Sequence, residues 1–333
     1  MANDPEAIRI SELTGEPMPG ARHVPAKARG RLFPRFGRLV VVGLPYLWLL
    51  FFFLLPFLIV FKISFSEITI AIPPYTPVFD LAEGISANLA KLQQFSFDNY
   101  LFLTQDRLYY LSYLSSVWIA LVSTVLTLLI GFPMAYGMAR APRHWRPLLV
   151  MLVILPFWTS FLIRVYAWMG ILSREGLLNQ FLIFIGVVDP ANPLVILSTN
   201  TAVYIGIVYS YLPFMVLPLY ATLEKLDESL LEAAADLGCP PWKAFWKITV
   251  PLSLPGVVAG SFLVFIPAVG EFVIPDLLGG SDTLMIGRTL WAEFFSNRDW
   301  PLSSAIAVLL LLILVIPIVY FQNHQAKLQE SGK

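Results

Sequence analysis

Two carboxylates lie close together in a part of the sequence that is otherwise strongly apolar. Glu271 falls within the apolar stretch 250–274, and Asp276 follows five residues later. A carboxylate at membrane depth is costly unless it is paired or hydrated, so such a residue usually faces a water-filled cavity. Pro267 and Pro275 interrupt the helix here and free backbone carbonyls, which also suit an ammonium group. We therefore predict that Glu271 and Asp276 attract a cationic ligand along a pathway.

Other interpretations of both carboxylates stay open at this point. Glu271 also fits a structural ion pair with Arg164 or Arg288, from a neighbouring span or loop. Asp276 also fits a position in the external headgroup region without a role. Arg164 itself is predicted to be a snorkelling or ion-paired residue, because its charge would repel a cation.

Aromatic residues are plentiful, at 14% of the chain, and several fall on the same apolar stretches. Trp158, Tyr209 and Phe214 are candidates for the pathway, since aromatic faces bind ammonium groups and stack on methylenes. The alternative for each is ordinary packing or anchoring at the membrane interface.

Several kinds of chemistry are excluded or disfavoured by composition. The single cysteine, Cys239, excludes an internal disulfide and a Cys-rich metal site, and the three histidines are far apart. Neither a nucleophile–base arrangement nor the Gly-x4-Gly-Lys-Ser/Thr phosphate loop occurs. Equal numbers of basic and acidic residues, 22 each, give no indication of nucleic-acid binding. We predict a protein that is not an enzyme and binds no metal or cofactor itself.

The segment 223–250 combines an amphipathic helix with a sharp bend. Apolar residues recur at intervals of three or four, which predicts a helix from Leu223 to about Leu237. Gly238 is placed to end this helix in a left-handed cap, and Pro240-Pro241 is placed to open a second, short helix, Trp242–Lys247.

This bent segment has the features of a docking element. The small residues Ala233 and Ala234 permit close approach of another backbone or groove, and Glu232 offers a charge to a basic partner. Trp242 and Phe245, together with Trp246, supply aromatic anchors. The alternative is that these aromatic residues only lie in the membrane interface.

The elements that position these residues are membrane helices. Hydrophobic residues make up 57% of the chain and charged residues 13%, a balance typical of a protein with lipid as its solvent. A helix needs about 20 apolar residues to cross a bilayer. We predict an all-α polytopic protein with about six spans, at 39–61, 111–139, 147–172, 198–222, 250–274 and 301–323. The shorter stretch Leu177–Val188 is predicted to be interfacial, although a re-entrant segment remains possible.

Charge placement predicts the orientation and the domain limits. Fifteen of the 22 Lys and Arg residues fall on segments that are cytoplasmic if the N-terminus is inside. Both termini are therefore predicted to be cytoplasmic, and a seventh crossing would move the C-terminus outside. The resulting domains are a tail at 1–38, partly disordered, a transmembrane region at 39–323 with an external segment at about 66–108, and a second tail at 324–333.

The bent segment also resembles a known family motif. Glu232-Ala233-Ala234, then Gly238, then Ile248-Thr249-Val250-Pro251 is similar to the EAA loop of ABC importer permeases, which favour Leu where Val250 stands. The resemblance implies the type I ABC importer permease fold, with the EAA helix coupled to a separate ATPase. It also implies a second homologous permease, two ATPase copies that use ATP and Mg, and a periplasmic binding protein as partners.

Longer stretches resemble the polyamine permeases, and the putrescine type most of all. They are Leu44–Trp48, Leu54–Lys62, Ile154–Gly170, Phe265–Gly280 and Ile286–Pro301. This resemblance implies polyamine import across the cell inner membrane, with putrescine as the cargo. Spermidine or an opine-like or amino-acid-like cation remains an alternative cargo, and the sequence does not decide whether the second permease is identical. An ion-coupled secondary transporter is the alternative class, but no span holds a chain of Asp, Glu or His for a proton relay.

Overall fold

The computed structural model of this chain describes residues 34–80, residue 82 and residues 84–331. Helices form nearly all of its regular structure, and the described residues contain one sheet, of two short strands. The predicted all-α class is therefore confirmed. The predicted N-terminal tail lies outside the described residues as far as residue 33.

The first helical segment carries no charged residue between Leu39 and Phe61. It consists of α1 (Pro34–Leu49), a π-helical turn (Leu50–Leu54) and α2 (Leu55–Ile63), and residues up to Leu58 form a compact unit of their own. Val40–Ile63 is long and apolar enough to cross a membrane. The large apolar side chains from Val40 to Leu55 are all exposed within this chain, as expected of a helix that faces lipid or another protein.

The predicted external segment is a small, folded structure. It contains a hairpin of β1 (Glu67–Ile68) and antiparallel β2 (Tyr75–Thr76), then α3 (Gly84–Lys91), a 3-10 turn (Leu92–Gln94) and α4 (Asp98–Gln105).

The ammonium group of Lys62 lies at the centre of this segment. It is 4.5 Å from the ring centroid of Tyr75, 4.7 Å from that of Phe79 and 5.9 Å from that of Phe95, and it donates a hydrogen bond to the carbonyl of Pro77. Cation–π contacts of this kind contribute about 0.5–2 kcal/mol each. Lys62 therefore fastens the hairpin and the following loop to the end of α2.

Replacing Lys62 by Met is expected to loosen the external segment. The side chain keeps its length but loses its charge and its hydrogen bond, so the segment 66–97 should be cut several-fold faster by a protease in the purified protein. Lys91→Met is the control, because it removes a charge from the same segment at an exposed hydrogen bond, the one that the Lys91 amine donates to the carbonyl of Val78 at 2.8 Å. Equal cleavage rates for the wild type and Lys62→Met would contradict this role.

The predicted third span, 147–172, is not a single straight helix. It consists of α6 (Arg146–Ile154), a 3-10 turn (Leu155–Trp158) and α7 (Phe161–Leu172), and α8 (Leu177–Phe184) follows. The parts on either side of the break are inclined by 88°. Thr159 and Ser160 have extended backbone conformations, and an extended pair after a proline-containing turn stops the helical hydrogen-bond ladder. The predicted short helix at 177–188 is α8, joined to the second arm of this bend.

Two long helices continue the transmembrane region. They are α5 (Arg107–Arg140), which precedes the bent pair, and α9 (Asn200–Leu223), and both pass the length and hydropathy test for a span.

The segment predicted to be cytoplasmic contains α10 (Ser229–Asp236) and α11 (Pro241–Ala244). The latter continues through a π-helical turn (Phe245–Thr249) into α12 (Val250–Val269). The prediction of a separate helix Trp242–Lys247 is therefore wrong, because Pro241–Val269 is one apolar helix of 29 residues. It ends before the predicted residue 274.

The last part of the chain holds α13 (Val273–Leu278), α14 (Ile286–Trp291), a π-helical turn (Ala292–Ser296) and α15 (Trp300–Ser331). Among the residues that the structure describes, four helices pass the test for a span, or five if the bent pair counts as one. The predicted sixth span, 301–323, falls on α15, whose apolar part within the described residues is Trp300–Ile316.

The core lies where α9 packs against α5 and α12. Its fully buried side chains include Ile207, Met215 and Leu219 of α9. Gly260 permits the close approach of α12, since a Cβ there would lie 2.8 Å from the Met215 sulfur. Gly206 has the same function against α13, where a Cβ would lie 2.8 Å from Ile274 Cγ2. The close contact at Gly206 positions α13, and with it the link before α13 that contains Glu271.

Candidate functional site

Glu271 lies in the irregular link between α12 and α13, and its side chain is 7% exposed. Its Oε2 atom accepts a hydrogen bond from the Tyr211 hydroxyl at 2.5 Å. Its Oε1 atom accepts from the backbone N–H groups of Val273 at 3.1 Å and Ile274 at 3.4 Å. Three donors thus hold the carboxylate in one orientation at the start of α13.

The carboxylate lies on the wall of a cleft of about 660 Å³. The break in the third span forms another wall with Phe157, Thr159 and Phe161, while α9 contributes Ser210, Tyr211 and Phe214. The charged side chains that line this cleft are Glu271 and Arg164. A cleft with one oriented carboxylate and several aromatic rings suits the binding of an organic cation.

Arg164 lines the same cleft without pairing with Glu271. Its guanidinium carbon lies 5.0 Å from the ring centroid of Phe157 and 5.8 Å from that of Phe161. The Nε and Nη1 atoms are buried and find no acceptor among the described residues. Neither ion pair considered for Glu271 is formed, because Arg288 pairs with Asp276 instead, at 3.1 Å.

The other pathway candidates are distributed unevenly. Phe214 lines the cleft, and its ring is perpendicular to that of Phe157 at 5.2 Å. Tyr209 lines a different, apolar cavity of about 450 Å³, and Trp158 is 73% exposed and is not among the lining residues. Asp276 is half exposed and forms the ion pair with Arg288. The structure therefore brings Glu271 and Phe214 together, and leaves the other three outside the cleft.

Tyr211 and Phe157 are among the cleft residues that were not chosen as pathway candidates. Tyr211 lies three residues before Phe214 on α9, so both fall on one helix face, and this spacing is a signal that was available. Phe157 precedes the break in the third span, and no pattern in the sequence fixes the direction of that bend.

We use the term coupling segment for residues 224–250, which begin with a short turn after α9. The prediction of a helix that begins at Leu223 is wrong, since Leu223 ends α9 and α10 begins at Ser229. The Asp227 carboxylate accepts a hydrogen bond from the Ser229 N–H at 3.0 Å, which lowers the pKa of Asp227 and marks the new helix start.

Gly238 ends α10 as predicted. It has a φ of +75°, and its N–H donates to the Ala235 carbonyl at 2.8 Å. The N–H of Cys239 donates to the Ala234 carbonyl at 2.9 Å, which completes a Schellman motif. The chain therefore reverses direction sharply between α10 and α11.

An apolar patch is exposed at this reversal. We use the term coupling patch for Leu230, Leu237, Trp242 and Trp246, which are 45%, 88%, 70% and 52% exposed. Glu232 and Ala233 are exposed beside them, whereas Ala234 is buried. A cluster of exposed apolar side chains is typical of a surface that another protein or the membrane interface covers.

Phe245 lies between the coupling patch and α5, and its ring centroid is 5.4 Å from that of Trp246 and 6.5 Å from that of Trp242. Its ring is perpendicular to those of Phe132, at 5.7 Å, and Tyr136, at 5.8 Å, both on α5. Phe245 therefore connects the coupling segment to α5.

Two ion pairs attach the turn 224–228 to neighbouring helices. Arg140, at the end of α5, pairs with Glu228 at 3.2 Å, and Arg146, at the start of α6, pairs with Glu224 at 3.4 Å. Pairs that are this exposed contribute little energy, so their main effect is on the position of the turn.

Comparison with known proteins identifies close relatives. Residues 106–327 match the family described as binding-protein-dependent transport system inner membrane component. The Escherichia coli spermidine/putrescine transport system permease protein PotB is 44% identical over 227 residues, which cover 68% of this chain and 82% of that protein. The Haemophilus influenzae protein of the same name is 38% identical over 291 residues, 86% of this chain and 93% of that one.

A solved structure shares the fold. The crystal structure of a bacterial ABC transporter involved in the import of the acidic polysaccharide alginate has a TM-score of 0.60 and 18% identity, and the match covers 87% of this chain and 95% of that chain. The type I importer fold predicted for this chain is confirmed.

Proposed function

This chain belongs to the family of binding-protein-dependent transport system inner membrane components, and we propose that it is one transmembrane subunit of an ATP-driven polyamine importer. The observation that carries this proposal is the oriented, buried carboxylate of Glu271 in a cleft with aromatic walls. An ammonium group is the natural partner of such a carboxylate, since the pairing replaces the lost hydration of both charges.

Putrescine is the proposed cargo, with spermidine as the alternative. Both polyamines appear in the names of relatives that are 38–44% identical. The cleft offers one oriented carboxylate and the ring of Phe214, while the Arg164 guanidinium lies over the rings of Phe157 and Phe161. The carboxylate would bind one ammonium end, while Phe214 would contact the methylene chain.

The energy for transport is proposed to enter at the coupling patch. In this proposal two copies of a partner ATPase, which use ATP and Mg, bind the EAA segment around Glu232, and their closure moves the permease between outward-open and inward-open states. A second homologous permease completes the membrane domain, and a periplasmic binding protein delivers the cargo. Both termini of this chain would then lie in the cytoplasm.

The test uses the complete importer reconstituted in liposomes with its binding protein outside. Uptake of labelled putrescine and of labelled spermidine is measured with ATP and Mg inside, and with ion gradients in the absence of ATP. We expect uptake that needs ATP and is indifferent to a proton or sodium gradient. Gradient-driven uptake without ATP, or ATP-driven uptake of another solute that polyamines do not inhibit, would contradict the proposal.

A further inference from the structure

A permanent cation in a cleft proposed for cationic cargo needs an explanation. Arg164 is that cation, since a guanidinium stays charged at every physiological pH. It lines the cleft together with Glu271, and Coulomb repulsion from it opposes the entry of an ammonium group. A side chain with only a packing role would not have to be charged.

The hydrogen bonds of Arg164 are incomplete in the observed arrangement. Its Nε and Nη1 donors are buried without acceptors in the described part of the chain, while its plane lies over Phe157 and Phe161. Buried donors without acceptors are costly, so a second arrangement in which they bind an oxygen is favoured whenever one is in reach. Stacking on the two rings stabilises the present arrangement.

Glu271 is the negatively charged acceptor among the residues that line the cleft. It lies at the start of α13, which packs against the Arg164 helix α7. A guanidinium binds a carboxylate through two parallel hydrogen bonds, and the long arginine side chain can move without a change of backbone. The observed position of Arg164 over the aromatic rings leaves Glu271 open.

We propose that Arg164 is a resident counter-ion that competes with the ammonium group of the cargo for Glu271. The inference rests on the proposed function. It explains how the cleft would release bound cargo. Cargo displaces the guanidinium onto the rings, and return of the guanidinium to Glu271 expels the cargo when the cleft opens inward. The apparent affinity for cargo is lowered by the fraction of time that Arg164 occupies Glu271, and release is accelerated.

Kinetics of the reconstituted importer test the exchange. Arg164→Gln removes the competing charge, so we expect a KM for putrescine about tenfold lower and a kcat several-fold lower, because release becomes slow. Arg164→Lys keeps a competing cation and should leave KM within about twofold of the wild type. A KM that is unchanged or higher in Arg164→Gln overturns the proposal, and a higher KM would instead indicate that Arg164 attracts an anionic group of a zwitterionic cargo.

A double-mutant cycle makes the test specific to Glu271. In an importer that already carries Glu271→Gln, the further change Arg164→Gln should no longer lower KM. A fall in KM that persists in this background excludes competition at Glu271. If Arg164→Gln does not assemble, Phe161→Leu removes one ring beneath the guanidinium and should raise KM about threefold; a lower KM would contradict the exchange. Failure of the proposed function is seen separately, as the absence of ATP-driven polyamine uptake by the wild type.

Discussion

Replacing Glu271 by Gln is expected to lower putrescine uptake at limiting cargo by about tenfold or more, with no change in the amount of assembled importer. Glutamine has the same shape and keeps one carbonyl oxygen for the N–H groups of Val273 and Ile274, but it carries no charge. A hydrogen bond to a charged group contributes about 1.5–3 kcal/mol, and each 1.4 kcal/mol corresponds to tenfold in affinity. Initial uptake rates measured over a range of cargo concentrations would show the loss mainly as a higher KM.

Asp276→Asn is the matched control for this experiment. It neutralises a carboxylate five residues further along the chain, which is half exposed and paired with Arg288. We expect its uptake to stay within about twofold of the wild type, since an exposed ion pair contributes about 0–1 kcal/mol. Uptake by Glu271→Gln that equals the wild type at limiting cargo would remove Glu271 from the proposed pathway.

Replacing Leu237 by Asp is expected to uncouple the subunit from the proposed partner ATPase. Leu237 is 88% exposed at the reversal of the coupling segment, so the change leaves the fold of this chain intact. At a covered interface the same change removes apolar contact and buries an unpaired charge, which costs a few kcal/mol. The affinity for the ATPase should fall by about thirtyfold or more, as measured by co-purification at increasing dilution and by loss of ATP-driven uptake.

Leu89→Asp provides the comparison for this substitution. Leu89 is also exposed, at 58%, but lies on α3 of the predicted external segment. We expect ATPase binding by Leu89→Asp to equal that of the wild type. If Leu237→Asp retains full ATPase affinity, the coupling patch does not contact the ATPase, and the energy for transport must enter elsewhere.

The features that sequence predicts well here are the ones set by local chemistry. Gly238 was identified as a left-handed cap because few other residues adopt that backbone conformation at low cost, and its φ is +75°. Glu271 was identified as a candidate because a charge within an apolar stretch needs a partner or a cavity, and it lies in a cleft.

The features that sequence missed depend on contacts between distant residues. The hydrogen bond between Tyr211 and Glu271 joins residues 60 positions apart, and the pairing of Arg288 with Asp276 excluded an alternative that composition alone left open. Trp158 and Tyr209 were candidates by type, but the direction of an aromatic side chain depends on the packing of its helix. The bend at Thr159 and Ser160 directly follows Trp158 and therefore affects the direction of its side chain. Hydrophobic periodicity contains no signal for the angle of this bend.

The continuous helix Pro241–Val269 has a mechanical consequence. At 1.5 Å per residue its 29 residues extend about 44 Å, from the exposed Trp242 at one end to the link that carries Glu271 at the other. A rigid rod of this length that tilts by ~10° about one end displaces its far end by ~8 Å, more than the width of an ammonium group. In the proposed mechanism, a small rotation at the Trp242 end is magnified at the carboxylate, and the sections of the helix that can bend are the π-helical turn Phe245–Thr249 and the turns around Pro255 and Pro267.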